Sequence, residues 1–358
     1  MKKLFGTKFL VFMMLMLMLV LAACGDAEET EGTGNTDTPE TETDTETETD
    51  NSSEGEASGD EGASEKLVIG FSQVGAESEW RTANTESMKA AITDAGHELK
   101  FSDGQQKQEN QIKAIRTFIT QKVDAIVFSP VVETGFETVL QEAKDAGIPV
   151  FLADRSVDIE DDSLWATFLG SDFVEEGRKA GNWLVEEMAD EEGPVNIVEL
   201  QGTVGSAPAN DRKEGFEEII GDHDKFEIIK SQTGEFTRAK GKEVMEAFLK
   251  SDGENIDVLY AHNDDMAIGA IQAIEEYGLK PGEDIIVIGV DAVKGAFEAM
   301  AAGKMNVTIE CNPLFGPQMV ELIEKHVIDG EELEKRIAVE ESMYTMDQAE
   351  ELLPTRKY

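Results

Sequence analysis

The chain has 358 residues, enough for two domains plus accessory segments, and a formal net charge of −44 at pH 7. That charge excludes nucleic acid as a partner, because phosphate contacts need Lys and Arg, and it argues against electrostatic attachment to anionic lipid. Only Cys24 and Cys311 are present, so a disulfide framework is excluded as well.

The N-terminus carries Lys2, Lys3 and Lys8, then an apolar run from Phe9 to Ala23, then Cys24. A basic start, a short apolar core and small residues ahead of a cut describe an export signal over residues 1–23. Leu21-Ala22-Ala23-Cys24 resembles a bacterial lipobox, which implies a diacylated Cys24 after cleavage. Two acyl chains give stable anchoring. The rival reading, a transmembrane anchor, fits poorly because the apolar run is short for a bilayer. The expected location is therefore the extracellular face of the cell membrane, held by lipid.

Residues 24–65 form an acidic tether. Gly25 to Glu65 holds sixteen Asp and Glu and no Lys or Arg, leaving −28 of the −44 for everything else. The segment offers almost nothing to bury and cannot offset the entropy of ordering. As a coil it reaches about 35 Å on average.

From Lys66 the pattern changes to short apolar runs separated by amphipathic segments of helical length. The runs predict strands at Leu67–Phe71, Glu98–Phe101, Ala125–Phe128, Val150–Ala153, Trp165–Leu169, Asn196–Leu200, Phe226–Lys230, Val258–Tyr260, Ile285–Val290 and Asn306–Ile309. Predicted helices lie at Trp80–Ala95, Gln106–Gln121, Gly135–Ala146, Glu175–Ala189, Ala209–Ile220, Arg238–Lys250 and Met266–Tyr277. Gly96, Gly147, Gly278 and Gly303 stand where helices should end. Regular strand–helix alternation predicts an α/β class with parallel sheets covered on both faces. One sheet of ten strands would be unusually wide, so the reading is two doubly wound lobes. The first comprises residues 66–170 and 312–335, the second 171–311 and 336–358, joined by three crossings.

In parallel α/β sheets, ligands bind beyond the carboxyl ends of the strands. The corners there hold Ser72 to Arg81 after the first strand, Asp154-Arg155 after the fourth, Gln201 to Gly205 and then Asn210-Asp211-Arg212 after Leu200, Gln232 to Phe236 after Lys230, and finally Asn263 and Asp291. Asp264 or Asp265 is expected to cap the helix that follows, which leaves Asn263 facing the crevice. Carboxylates accept, guanidinium forks donate, an amide does both, and an aromatic face covers C–H surface, so this set suits a polyol. Plain alternatives stand beside it: a surface Asp154–Arg155 pair, Trp80 as helix core, Asn263 as a cap. His262 beside Asp264 and Asp265 suggests a metal cluster, but capping accounts for the acids, and no metal or cofactor is expected. Gly202-Thr203-Val204-Gly205 lacks the spacing of a phosphate loop.

Four stretches carry a resemblance. They are Val68-Ile69-Gly70-Phe71-Ser72-Gln73-Val74-Gly75, Ser102 to Gln111, Glu199-Leu200-Gln201-Gly202-Thr203-Val204-Gly205 and Tyr260 to Met266. Through them Lys66 to about Tyr344 resembles the periplasmic sugar-binding proteins of ABC importers, of the ribose-binding type, and most of all the galactofuranose-binding members. The resemblance implies a type I periplasmic-binding-protein fold with a monosaccharide closed between hinged lobes, and a permease that receives it. It implies sugar contacts from Glu77, Ser78, Trp80, Arg81, Asp154, Arg155, Arg212, Asn263 and Asp291, with Phe236 as a stacking ring. Two departures bear on the hydroxyl pattern: Cys311 stands where the ribose binder has a glutamine, and Asp172-Phe173 where many relatives have Asp-Asn.

The expectation is thus a monomeric, non-enzymatic receptor for a furanose sugar. A pentose or fructose-type ligand is the alternative, as is coupling to a chemoreceptor. A sugar-responsive repressor would need a basic DNA-reading segment where the signal and acidic tether stand. A sugar-active enzyme would need a positioned nucleophile, and no Ser-His or Cys-His arrangement shows.

Overall fold

The computed structural model describes residues 65–358. The expected signal, the expected lipidation site at Cys24 and all of the expected tether but Glu65 lie outside the described residues. Among the described residues, no helix is long and apolar enough to cross a membrane.

The strands are β1 (Val68–Gln73), β2 (Glu98–Asp103), β3 (Ala125–Phe128), β4 (Val150–Ala153), β5 (Thr167–Gly170), β6 (Val195–Gln201), β7 (Phe226–Thr233), β8 (Val258–Ala261), β9 (Ile286–Asp291), β10 (Val307–Glu310), β11 (Arg336–Ala338) and β12 (Met343–Thr345). The helices are α1 (Glu79–Asp94), α2 (Gln108–Gln121), α3 (Glu137–Asp145), α4 (Phe173–Glu187), α5 (Ala207–Ile220), α6 (Arg238–Asp252), α7 (Asp264–Tyr277), α8 (Lys294–Ala301), α9 (Gly316–Val327) and the short α10 (Ala349–Leu352).

Two six-stranded sheets form, ordered β11-β5-β4-β3-β1-β2 and β12-β10-β9-β8-β6-β7. Every pairing is parallel except β10 with β12. Central strands such as β3, β4 and β8 are buried along their whole length, which is why they read as unbroken apolar runs rather than alternating ones. In each sheet the order reverses beside the first strand of the lobe, β1 or β6. Crevices open at those switch points.

The chain passes between sheets after β5, after β10 and after β11. The third passage corrects the expected boundary at residues 335/336. Arg336–Ala338 pairs in parallel with β5 and so belongs to the first sheet, and the chain enters the second only at β12. A three-residue edge strand with one half-buried side chain carries no readable period.

Helix ends follow local chemistry. Ser78, Asp172 and Thr237 accept from the backbone N–H of Arg81, Glu175 and Lys240 at the starts of α1, α4 and α6. Gly278 closes α7 with φ of 102°, in the left-handed region that favours glycine.

Mid-helix glycines, costly by propensity, are explained by close approach. A Cβ on Gly177 of α4 would lie 2.3 Å from the Arg212 carbonyl oxygen, and one on Gly215 of α5 would lie 2.0 Å from that of Val174. The two backbones touch, and this contact sets the height of Arg212. Gly177→Ala should cost about 1–3 kcal/mol by overpacking, read as a lower urea midpoint.

Candidate functional site

Glu77, Ser78, Trp80, Arg81, Asp154, Arg155, Arg212, Phe236, Asn263 and Asp291 all line one space between the two sheets. Phe173, Pro208 and Cys311 complete the wall. A wider hollow on the first lobe, near Lys144, Trp165 and His326, is lined by none of the ten.

The first lobe supplies a charge cluster. The Arg81 guanidinium lies 2.7 Å from Asp154 Oδ2 and donates Nε–H to Glu77 Oε1 at 3.0 Å. Burial alone would lower the Arg81 pKa, but Asp154 and Glu77 outweigh it and leave it raised. Arg155 is held less closely. Its nearest carboxylate contacts are 3.6 Å to Glu77 and 3.7 Å to Asp154, and its Nε has no hydrogen-bond partner. Burial, with Arg81 adding repulsion, lowers its pKa to about 10 although Asp154 and Glu77 pull the other way. Glu77 Oε2 is likewise buried and unpartnered. A buried donor and a buried acceptor left open in one cavity fit a ligand bearing hydroxyls.

The second lobe answers with Arg212 on α5. Its Nε–H donates to Glu176 Oε2 at 2.6 Å, its Nη1 to the His262 carbonyl at 2.5 Å, and Nη2 lies 3.5 Å from Asp291. Burial pushes the Asp291 carboxyl well above the usual range despite Arg212. Asn263 both caps and lines. Contrary to expectation it is the N-cap of α7 itself, accepting from Met266 N at 3.0 Å and donating Nδ2–H to the Phe236 carbonyl at 3.2 Å. Asp264, one of the two expected caps, is instead fully buried beneath the site, accepting from Thr308 Oγ1 at 2.8 Å and Val293 N at 3.0 Å. An adjacent pair of acids after Asn263 gives no local sign of which residue caps, because all three can.

Three aromatics wall the space, each under a guanidinium. Arg81 sits over Trp80 at 4.6 Å, Arg155 over Phe236 at 5.2 Å and Arg212 over Phe173 at 5.1 Å. Trp80 donates its ring N–H to the Cys311 carbonyl at 2.6 Å, which fixes the indole against the second crossing. Phe236 lies over Gly202, where a Cβ would fall 1.9 Å from its ring. The glycine-rich loop is therefore a seat for this ring. His262 turns away from the cavity. It is buried, its Nε2 is 3.0 Å from Glu199 Oε1, and burial lowers its pKa.

Three cavity residues, Asp154 (φ 66°), Phe236 (φ 59°) and Asp291 (φ 121°), have left-handed backbone. Such conformations cost energy and persist where the surroundings over-determine them, often at ligand clamps.

The cleft is closed. Glu79 N donates to Asp265 Oδ2 at 2.7 Å across it, and Arg238 bridges Glu79 at 2.9 Å and Asp265 at 2.8 Å. On the other flank Glu133 N donates to the Gly205 carbonyl at 2.9 Å, and Asn210 Nδ2 to Glu133 Oε2 at 2.5 Å. Sequence reasoning missed these groups, along with Phe173, Pro208 and Cys311 as wall residues. Phe173 and Cys311 had been marked only as departures from a family pattern, and Pro208 offered no signal.

Comparison with known proteins agrees with this geometry. A family model described as a periplasmic binding protein domain matches residues 69–332. The galactofuranose-binding protein YtfQ of Escherichia coli (strain K12) is 51% identical over 293 residues, covering 81% of this chain and 92% of that protein. A Mycobacterium smegmatis structure in complex with beta-D-fucofuranose is 54% identical, with a TM-score of 0.79 over 82% of this chain and 95% of that one. The binding-protein component of the arabinose ABC transporter from Shewanella sp. ANA-3, bound to alpha- and beta-L-arabinofuranose, is 49% identical, with a TM-score of 0.78 over 81% of this chain and 95% of that one. Two lobes of this topology, closed over a polar cavity and matched along most of their length, settle the relationship: the chain belongs to the periplasmic binding protein family.

Proposed function

We propose that this protein is the sugar receptor of an ABC importer, and that it closes on one furanose-form monosaccharide, galactofuranose or a close analogue. The observation that carries the reading is the enclosed wall itself, with Arg155 Nε and Glu77 Oε2 left open among groups drawn from both sheets.

The charges lining the cavity are balanced. Arg81, Arg155 and Arg212 face Glu77, Asp154 and Asp291, with Glu176 behind Arg212 and burial favouring a neutral Asp291. A neutral polyol fits that balance better than a sugar acid or phosphate. The sugars of the similar proteins share a five-membered ring and differ in the carbon chain outside it, so the ring is the common element to be gripped.

The reading is of a receptor that catalyses nothing. Among the described residues lining the cavity there is no histidine. The Cys311 thiol is kept neutral by burial, which pushes its pKa well above the ordinary value. Closure follows from one sugar touching both lobes, so that binding favours the shut state by differential affinity. A permease then receives the closed form, and lipidated Cys24 holds the monomer at the membrane surface.

The test is calorimetry of the purified protein with methyl furanosides and pyranosides of galactose, arabinose and fucose, alongside ribose and fructose. Binding confined to furanosides of the galactose–arabinose series is expected. Tight binding of ribose or fructose alone would move the assignment to the pentose or fructose-type alternative, and turnover of any sugar would overturn the receptor reading.

The Arg238 bridge lies outside the cavity wall and is partly exposed, so it is worth about 0.2–1 kcal/mol. Arg238→Ala should raise the sugar dissociation rate about two- to fivefold in stopped-flow measurements, with an effect that shrinks at high salt.

A further inference from the structure

The three passages between lobes meet at one carboxyl group. Glu341 lies in the third, between β11 and β12. Its Oε1 accepts from Ser171 Oγ of the first passage at 2.5 Å and from Asn312 N of the second at 2.9 Å. Glu176 of α4 is buried beside it. One of its oxygens takes the Arg212 Nε–H at 2.6 Å, and the other, Oε1, has no partner. Glu176, Glu341 and the Cys311 sulfur present donor atoms within 4.8 Å of one another.

We propose that Glu176 and Glu341 share one proton, so that Glu341 is a neutral pin joining the three passages, and that loss of this proton at high pH loosens the hinge. Two carboxylates this close, Glu176 buried and Glu341 half-buried, do not readily both ionise. A proton on Glu341 turns its second oxygen into a donor for the Glu176 acceptor that otherwise stands unsatisfied.

The surrounding charges favour the proton over a metal ion. Arg212 already neutralises Glu176, and Cys311, its Sγ 3.3 Å from Ser171 Oγ, remains a thiol. Lys179 bonds the Glu341 backbone carbonyl at 2.8 Å, not the carboxyl, and Arg336 bonds the Ser171 carbonyl at 3.3 Å. Glu310 is engaged by Ser342 N at 3.1 Å, and Asp291 stands behind Arg212. Among the described residues, no Lys or Arg pairs with the Glu341 carboxyl. Burial and the neighbouring Glu176 push Glu341 up to about 9, and burial raises Glu176 despite Arg212.

The sign follows. Between the ordinary glutamate value of 4.5 and about 9, the folded chain holds a proton that the unfolded chain has lost. Stability from this group therefore falls as pH rises through that window and levels off above it. Asp264, pushed up to about 8 by burial, acts in the same direction, so the parent profile alone does not isolate the hinge.

Glu341→Gln isolates it. The amide keeps an acceptor for Ser171 and Asn312 and an N–H for Glu176, and it does not titrate. In thermal melts of the ligand-free protein, the variant should match the parent near pH 5 and exceed it by about 2 °C more for each pH unit up to pH 9. In small-angle scattering, the parent should expand above pH 9 and the variant should not. Glu341→Ala should be expanded at every pH, and if it fails to fold, the glutamine comparison still decides. Parallel pH profiles for parent and Glu341→Gln would overturn the proposal, as would one equivalent of zinc bound by the parent and lost in the variant. Neither reading depends on which sugar fills the cavity.

Discussion

Arg155→Ala should abolish sugar binding while leaving the empty protein at least as stable as its parent. Arg155 is the least compensated charge in the cavity. Its ion contacts are long, at 3.6 and 3.7 Å, its only side-chain hydrogen bond among the described residues is to the Val131 carbonyl at 3.3 Å, and Nε is open. The folded state lowers its pKa from 12.5 to about 10, so the charged form is disfavoured in the empty cavity. Removing it relieves that penalty, offset in part by lost packing on Phe236.

A bound sugar loses two charge-assisted hydrogen bonds in the variant, at about 1.5–3 kcal/mol each, so affinity should fall at least about 100-fold. Arg155→Lys keeps the charge without the fork and should fall between. Calorimetry with the furanoside bound by the parent, beside urea unfolding of the empty protein, checks both halves. A variant that fails to fold would show the side chain to be structural, and one that binds normally would remove it from the site.

Much of the fold is legible because the central strands are short, apolar and bounded by polar corners. Val150–Ala153 and Val258–Ala261 are fully buried, and an unbroken apolar run of four between helical periods has few other readings. Helix ends were equally readable: Gly96, Gly147, Gly278 and Gly303 all take positive φ. Part of the cavity wall was legible through position, since Asp154, Asn263 and Asp291 stand at or just past the ends of parallel strands; Arg81 and Arg212, set inside helices, were picked out by the family resemblance.

What stayed hidden is non-local. Gly177 and Gly215 read only as costs in their own helices, and the reason lies in the facing backbone. Asp265 read as a cap, while its partners, Glu79 N and Arg238, lie 186 and 27 positions away. Glu341 sits in a stretch with no period, and only its meeting with Ser171 and Asn312 gives it meaning. The edge strand Arg336–Ala338 was misplaced for the same reason: three residues carry too little pattern to choose a sheet.

Asp154→Ala should behave differently from Arg155→Ala, although the two residues are adjacent and line the same wall. Asp154 is buried and holds the Arg81 guanidinium at 2.7 Å, accepts from Ser129 Oγ at 3.2 Å and faces Arg155. Removing it leaves two buried cations against Glu77 alone. Breaking a buried pair from one side costs about 3–5 kcal/mol, because the orphaned charge keeps its desolvation penalty. Backbone adds to this: Asp154 has φ of 66°, a region that Asp tolerates better than Ala.

Three substitutions separate the causes. Asp154→Gly relieves the backbone but not the charge and should recover only about 1 kcal/mol of the alanine loss. Asp154→Asn keeps the shape and a hydrogen-bond acceptor and should lie nearest the parent. Arg81→Ala combined with Asp154→Ala should cost less than the sum of the two, since the pair disappears together. An Asp154→Ala protein with the parent's urea midpoint would mean that Arg81 is not held by this carboxylate. If the expected order appears, the wall divides by function: Asp154, Arg81 and Glu77 form a preorganised frame that the fold completes without sugar, and Arg155 is the charge that waits for one.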